Sequence, residues 1–85
     1  MNVIVWSKNP CPYCDQAKAL LKSRGIAFEE RNLTTGNWTK EQLLEAVPTA
    51  RTVPQIIIND RTVGGFTELR KYIEETAGGF GDSQG

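Results

Sequence analysis

The sequence predicts an α/β fold: a four-stranded mixed sheet with three helices covering its faces. Three observations predict it. A strand-like run, Val3-Ile4-Val5-Trp6, leads through a short loop into a run of helical periodicity from Asp15 to Arg24. A β-branched run, Gln55-Ile56-Ile57-Ile58, meets the two-residue turn Asn59-Asp60 and a second short run, Arg61 to Val63. One more strand-like segment and two more helix-like segments give the order β-α-β-α-β-β-α. In that order the first βαβ unit is parallel and right-handed. The hairpin adds an antiparallel pair to the same sheet.

Val3 to Trp6 reads as a buried strand and Ser7 to Pro10 as a loop. Cys11 suits the N-cap of the first helix, with Pro12 as its first residue, where a missing N–H costs nothing. Cys14, Ala17, Leu20 and Leu21 recur at spacings of three and four, an apolar stripe. Gly25 follows as a candidate left-handed C-cap. Ile26 to Leu33 is predicted as the second strand, with Phe28 as its best core residue. After the loop Thr34 to Asn37, Thr39 and Gln42 fit a capping box, and Trp38 can staple onto Leu43. That helix ends near Val47, because Pro48 follows. Thr52-Val53-Pro54 leads into the third strand. Gly64-Gly65 precedes a helix from about Thr67 to Ala77, with Leu69, Tyr72 and Ile73 inward. Gly78 to Gly85 is expected to fray. Residues 1–85 are predicted to form a single domain.

Ten basic side chains balance ten acidic ones, so no global field draws the chain to nucleic acid or an anionic membrane. No apolar run is long enough to span a bilayer. Met1-Asn2 runs straight into a strand without the basic segment and apolar region of a signal peptide, so a cytoplasmic location is expected. In a reducing cytosol, a close cysteine pair points to catalysis or metal binding before a structural staple.

Both cysteines of the chain stand in Cys11-Pro12-Tyr13-Cys14. Two thiols separated by two residues at a helix start can close a small disulfide, while the first sulfur stays exposed. Thiol–disulfide exchange needs a thiolate that attacks in line on a sulfur–sulfur bond. At the N-cap, Cys11 can accept hydrogen bonds from the N–H groups of Tyr13 and Cys14. The helix dipole adds partial positive charge, and Lys8 a full one. Both favour the Cys11 thiolate, and Asp15 opposes them as a like charge. Cys14, one turn in and facing the core, is the resolving thiol. A zinc site needs about four ligands. Two cysteines with no histidine do not supply them, so no metal is expected.

With this motif, with Lys8 three residues before Cys11, with Thr52-Val53-Pro54-Gln55 and with Gly64-Gly65-Phe66-Thr67-Glu68-Leu69, the chain resembles the glutaredoxins, of thioredoxin-like fold. The match covers nearly the whole chain up to the glycine tail. The resemblance implies the strand order 2-1-3-4, a cis peptide bond before Pro54, and glutathione as reducing co-substrate with no permanently bound cofactor. A cis bond would turn the Val53 backbone toward Cys11, to pair with the cysteine of glutathione like an added strand. Tyr13 and Thr52 would line the same groove. Gly65 would let the ligand approach closely. The N–H groups around Phe66, Thr67 and Glu68 would hold the γ-glutamyl carboxylate at a positive helix end. Thr67 would add its hydroxyl, and Glu68 would face the ligand's ammonium, where many members carry Asp at one of these two positions. Lys8 would take the glycyl carboxylate. Arg51 would either join it or stand as a solvated loop charge.

The implied partners are glutathionylated or disulfide-containing proteins, ribonucleotide reductase among them, served by a monomer. Two other functions use fewer of these residues. A thioredoxin-like reductant that ignores glutathione has no use for the Pro12-Tyr13 interior or Lys8. An iron–sulfur carrier, sharing a cluster between two chains through Cys11 and two glutathiones, usually has a single cysteine in a Gly-Phe-Ser context. Trp38 is explained by the staple alone and carries no site role.

Overall fold

Side chains alternate across a strand, so one strand can feed two cores. The computed structural model, which describes residues 2–77, shows this directly. The elements are β1 (Val3–Ser7), α1 (Pro12–Ser23), β2 (Glu29–Asn32), α2 (Lys40–Ala46), β3 (Gln55–Ile58), β4 (Arg61–Gly64) and α3 (Phe66–Ala77). The predicted tail, 78–85, lies outside the described residues. The sheet runs β2-β1-β3-β4, the order the resemblance implied. β1 pairs parallel with β2 and antiparallel with β3, and β3 pairs antiparallel with β4.

On one face, Val3 and Val5 of β1 and Ile56 and Ile58 of β3 pack with Ala17 and Leu21 of α1 and Leu69 and Ile73 of α3. On the other, Trp6 and Ile57 pack with Leu43 of α2 and Val47. Burying a side chain such as Leu21, Ile56 or Leu69, each fully buried, contributes about 1.5–3 kcal/mol. The sheet is thus sandwiched between the α1/α3 layer and α2. β1 is the shared wall, and its C-terminal end delivers the chain to Cys11.

Local signals hold the ends. Gly25 (φ +68°) closes α1 in a Schellman motif: its N–H donates to Lys22 O, and the Ile26 N–H donates to Leu21 O. The capping box of α2 forms as predicted, with the Gln42 N–H on Thr39 Oγ1 and the Thr39 N–H on Gln42 Oε1. Trp38 packs on the cluster that contains Leu43 and meets Trp6 edge-on, at 5.3 Å between centroids. Asn59 and Asp60 both take positive φ, 52° and 67°, as a tight hairpin turn requires.

β2 is shorter than the predicted Ile26 to Leu33. Its N-terminal part is lost because the Ile26 N–H is used in closing α1 and the pairing with β1 begins only at Glu29, opposite Ile4. Its C-terminal end is set by Asn32, whose Oδ1 accepts the N–H groups of Thr34 and Thr35 and turns the chain. Phe28, expected as the best core residue of the strand, sits before it, half-buried against the first core.

Candidate functional site

Cys11 is the N-cap of α1, in extended conformation (φ −156°, ψ 94°), with Pro12 at the first helical position. Its Sγ accepts the Cys14 N–H at 3.1 Å. The second donor expected from the sequence, the Tyr13 N–H, is not among the hydrogen bonds formed. Cys11 and Cys14 are joined by a disulfide, with Cα atoms 5.2 Å apart. Cys11, expected to stay exposed, is buried like its partner, though less deeply: Cys11 is 8% exposed and Cys14 1%, because Cys11 sits against the Val53 carbonyl.

The Val53–Pro54 bond is cis, and so is Asn9–Pro10, which the sequence reading did not anticipate. The Val53 carbonyl oxygen lies 3.6 Å from Cys11 Sγ. The Cys14 N–H, at 3.1 Å, is the other polar group on this sulfur. The N–H contact is the shorter, and it lies at a helix N-terminus.

Tyr13, 60% exposed, stacks on Phe66 with centroids 6.1 Å apart and planes at 26°. The two rings wall a cleft of about 190 Å³ lined by Tyr13, Thr52, Val53, Pro54, Gly65, Phe66, Thr67 and Glu68. These are the residues the sequence reading grouped in a groove, Lys8 excepted. Lys8 lines an adjoining cleft of about 200 Å³ that shares Thr52 and Val53 with the first. Arg51 lines the cleft with Lys8. Glu68 is already partly engaged: it stands at the third position of α3, and its Oε1 accepts the Gly65 N–H at 2.9 Å. Gly64 permits this approach, because a Cβ there would lie 2.9 Å from Glu68 Cγ on a backbone at φ +123°.

One group of positioning residues escaped the sequence reading. Glu30 Oε2 accepts from Ser7 Oγ (2.7 Å), Lys18 Nζ (2.8 Å) and Asn32 Nδ2 (3.3 Å). It thereby ties together β1, α1 and β2. Asn32 Nδ2 also donates to Asn9 Oδ1, and the Asn9 N–H donates to Thr34 Oγ1. The loop that carries Cys11 is therefore pinned two residues upstream. The hydrogen bond with Glu30 holds the Lys18 ammonium above its ordinary value against the cost of burial, helped by the charges of Glu30 and Asp15. The bond from Lys18 holds Glu30 below its ordinary value, again against burial, with Ser7 and Asn32 adding to it. The only signal in the sequence was a serine at the buried end of a strand.

A paired dithiol at a helix N-cap, beside a cis-proline loop and an open cleft on this sheet, defines a thiol–disulfide oxidoreductase of thioredoxin-like fold. Residues 3–63 match the glutaredoxin family. Glutaredoxin 3 of Escherichia coli K12 is 40% identical over 78 residues, covering 92% of this chain and 90% of that one. The crystal structure of glutaredoxin 1 from Francisella tularensis superposes with a TM-score of 0.75 at 30% identity, over 89% of this chain and 95% of that one. A buckwheat glutaredoxin–glutathione complex gives 0.74 at 25% identity, over 86% and 68%. The chain belongs to the glutaredoxin family, and it is a dithiol enzyme of that family, an oxidoreductase of thiols and disulfides.

Proposed function

We propose that Cys11 is the attacking thiolate, Cys14 the resolving thiol, and glutathione the reductant. The Cys11 thiolate attacks a substrate disulfide, forms a mixed disulfide and releases one substrate thiolate. Cys14 then gives up its proton, attacks Cys11 Sγ and releases the second substrate thiol. One glutathione thiolate reopens the Cys11–Cys14 bond, and a second takes the first off Cys11. Per turnover, one disulfide is reduced and two glutathiones leave as one glutathione disulfide. With a glutathione mixed disulfide as substrate, Cys11 suffices. The observation that carries this reading is the Cys14 N–H donated to Cys11 Sγ at 3.1 Å, on a sulfur 3.6 Å from the carbonyl oxygen of Val53, which lines the cleft.

In this reading the γ-glutamyl end of glutathione lies at the N-terminus of α3, against Gly65, Phe66, Thr67 and Glu68. Its cysteine pairs with the Val53 backbone beside Thr52 and Pro54, under Tyr13. Its glycyl carboxylate meets Lys8. The similarity to a chain solved with glutathione supports this. Glu68 serves twice: Oε1 caps Gly65, and the other oxygen is left for the ligand's ammonium. The enzyme works as a single-domain monomer in the cytoplasm, where glutathione keeps thiols reduced, and ribonucleotide reductase is among its substrates. A coupled assay with glutathione, glutathione reductase and a small mixed disulfide tests the reading. Turnover that saturates in glutathione and vanishes in Cys11→Ser is expected. Turnover that persists in Cys11→Ser refutes it.

A further inference from the structure

The cleft beside Lys8 is larger than one glycyl residue needs, and its chemistry is one-sided. Its cationic linings are Lys8, Lys40 and Arg51, all exposed, and among the described residues no carboxylate lines it. None of the three takes part in an ion pair among the described residues, where Lys18, Arg31 and Arg70 do. A chain with ten basic and ten acidic side chains has no overall charge that would place three cations together by excess. The floor is apolar. It includes Leu43 and, at the rim of α2, Leu44, a large hydrophobic residue 36% exposed. Cationic walls over an aliphatic floor complement a segment that carries both carboxylates and an aliphatic side chain.

The position of the cleft sets which part of a substrate enters it. It joins the first cleft at Thr52 and Val53, and the Val53 carbonyl lies 3.6 Å from Cys11 Sγ. A substrate sulfur on Cys11 therefore has α3 on one side and this cleft on the other. In the proposed binding mode the glycine, the residue after the cysteine of glutathione, points toward Lys8. Glutathione ends there. A protein continues, and an extended chain advances about 3.3 Å per residue, so its next residues enter the cleft that Arg51, Lys40 and Leu44 line.

We infer that this cleft is a docking site for protein disulfide substrates that carry acidic residues and an aliphatic side chain directly after the reactive cysteine. This rests on the glutathione mode proposed above and extends it from a tripeptide to a protein chain. The contribution is made in association, so it weakens as salt screens the charges.

The test uses disulfide-linked homodimers of one short peptide, in which both sulfurs are equivalent. The peptide carries Leu-Glu-Glu, Leu-Gln-Gln or Leu-Lys-Lys after its cysteine. A fourth version carries the acidic residues before the cysteine. Rates are read for the wild type and for Lys40→Glu, with a small glutathione mixed disulfide as control. Lys40 is exposed and starts α2, where a carboxylate suits the helix dipole. The variant therefore keeps its fold.

Exposed charge pairs contribute up to about 1 kcal/mol each. The acidic-after peptide should thus exceed the neutral one by about fivefold in kcat/KM at low salt. Lys40→Glu should erase that preference and leave the control unchanged. Equal rates for the four peptides, or equal preference for acids on either side, overturn the inference. So does a Lys40→Glu variant that keeps the wild-type preference. Loss of the control activity in the wild type overturns the glutathione reading beneath it instead.

Discussion

Cys11 and Cys14 share one helix turn, but among the described residues it is the Cys11 sulfur that receives a helix N–H and lies 3.6 Å from the Val53 carbonyl, at a residue that lines the cleft. In the reduced protein, iodoacetamide should therefore modify Cys11 first and at lower pH, with Cys14 the more deeply buried of the two. Mass spectrometry of partly alkylated protein checks this, and equal labelling of the two would contradict it. Tyr13 offers a second prediction at this scale. Its ring is exposed and held by Phe66, so Tyr13→Ala removes a cleft wall without opening a core. KM for a glutathione mixed disulfide should rise several-fold with kcat little changed, and an unchanged KM would remove Tyr13 from the binding surface. Both residues were legible in the sequence, because a Cys-x-x-Cys motif at a helix start exposes its chemistry in the spacing. The engagement of Glu68 was not. Its partner is a backbone N–H at Gly65, and glycine at an N-cap carries no side-chain signal.

The elements stay in place through groups that serve more than one of them. Glu30 holds β1, α1 and β2, and through Asn32 it steadies the loop before Cys11. Its folded pKa is lowered from 4.5, so its contribution is fully present above 4.5 and is lost as pH falls through the lowered value. Lys18, raised from 10.5, contributes fully below 10.5 and loses its part only as pH climbs through the raised value. Thermal unfolding between pH 5 and pH 3 should thus cost the wild type more Tm than Glu30→Gln. Parallel curves would mean that the ion pair adds nothing to the fold. At α2, Thr39→Ala should cost about 1 kcal/mol by loss of the capping box, which urea denaturation measures. The box was visible in the sequence, where Thr39 and Gln42 stand at the right separation. The Glu30 cluster was not, because its members come from three separate elements, β1, α1 and β2, and meet only when β1 and β2 pair. The length of β2 was misread for a related reason: Ile26 and Phe28 are as apolar as strand residues, but the close of α1 claims the Ile26 N–H.

Across the whole molecule, the two-faced β1 and the α1/α3 layer make one unit, and the site lies where their ends converge. Leu69, fully buried near the start of α3, joins that layer to the residues at the mouth of the cleft. Leu69→Ala should cost about 2–5 kcal/mol and weaken glutathione binding with it. Loss of stability with an unchanged KM would show that the cleft is set independently of the core. The layering was legible because alternation in Val3-Ile4-Val5-Trp6 and Ile56-Ile57-Ile58 needs cover on both faces of the sheet. The division of the groove into two clefts was not, since it depends on how α2 and the loop before Pro54 are placed around Val53. The division of labour between the two sulfurs is the central claim, and one paired measurement tests it most directly. Cys11→Ser and Cys14→Ser are assayed side by side on a protein disulfide and on a glutathione mixed disulfide, with glutathione as the only reductant. Cys11→Ser should lose both activities, while Cys14→Ser should lose most protein-disulfide reduction and keep the other. Equal loss of both activities in the two variants would contradict the account.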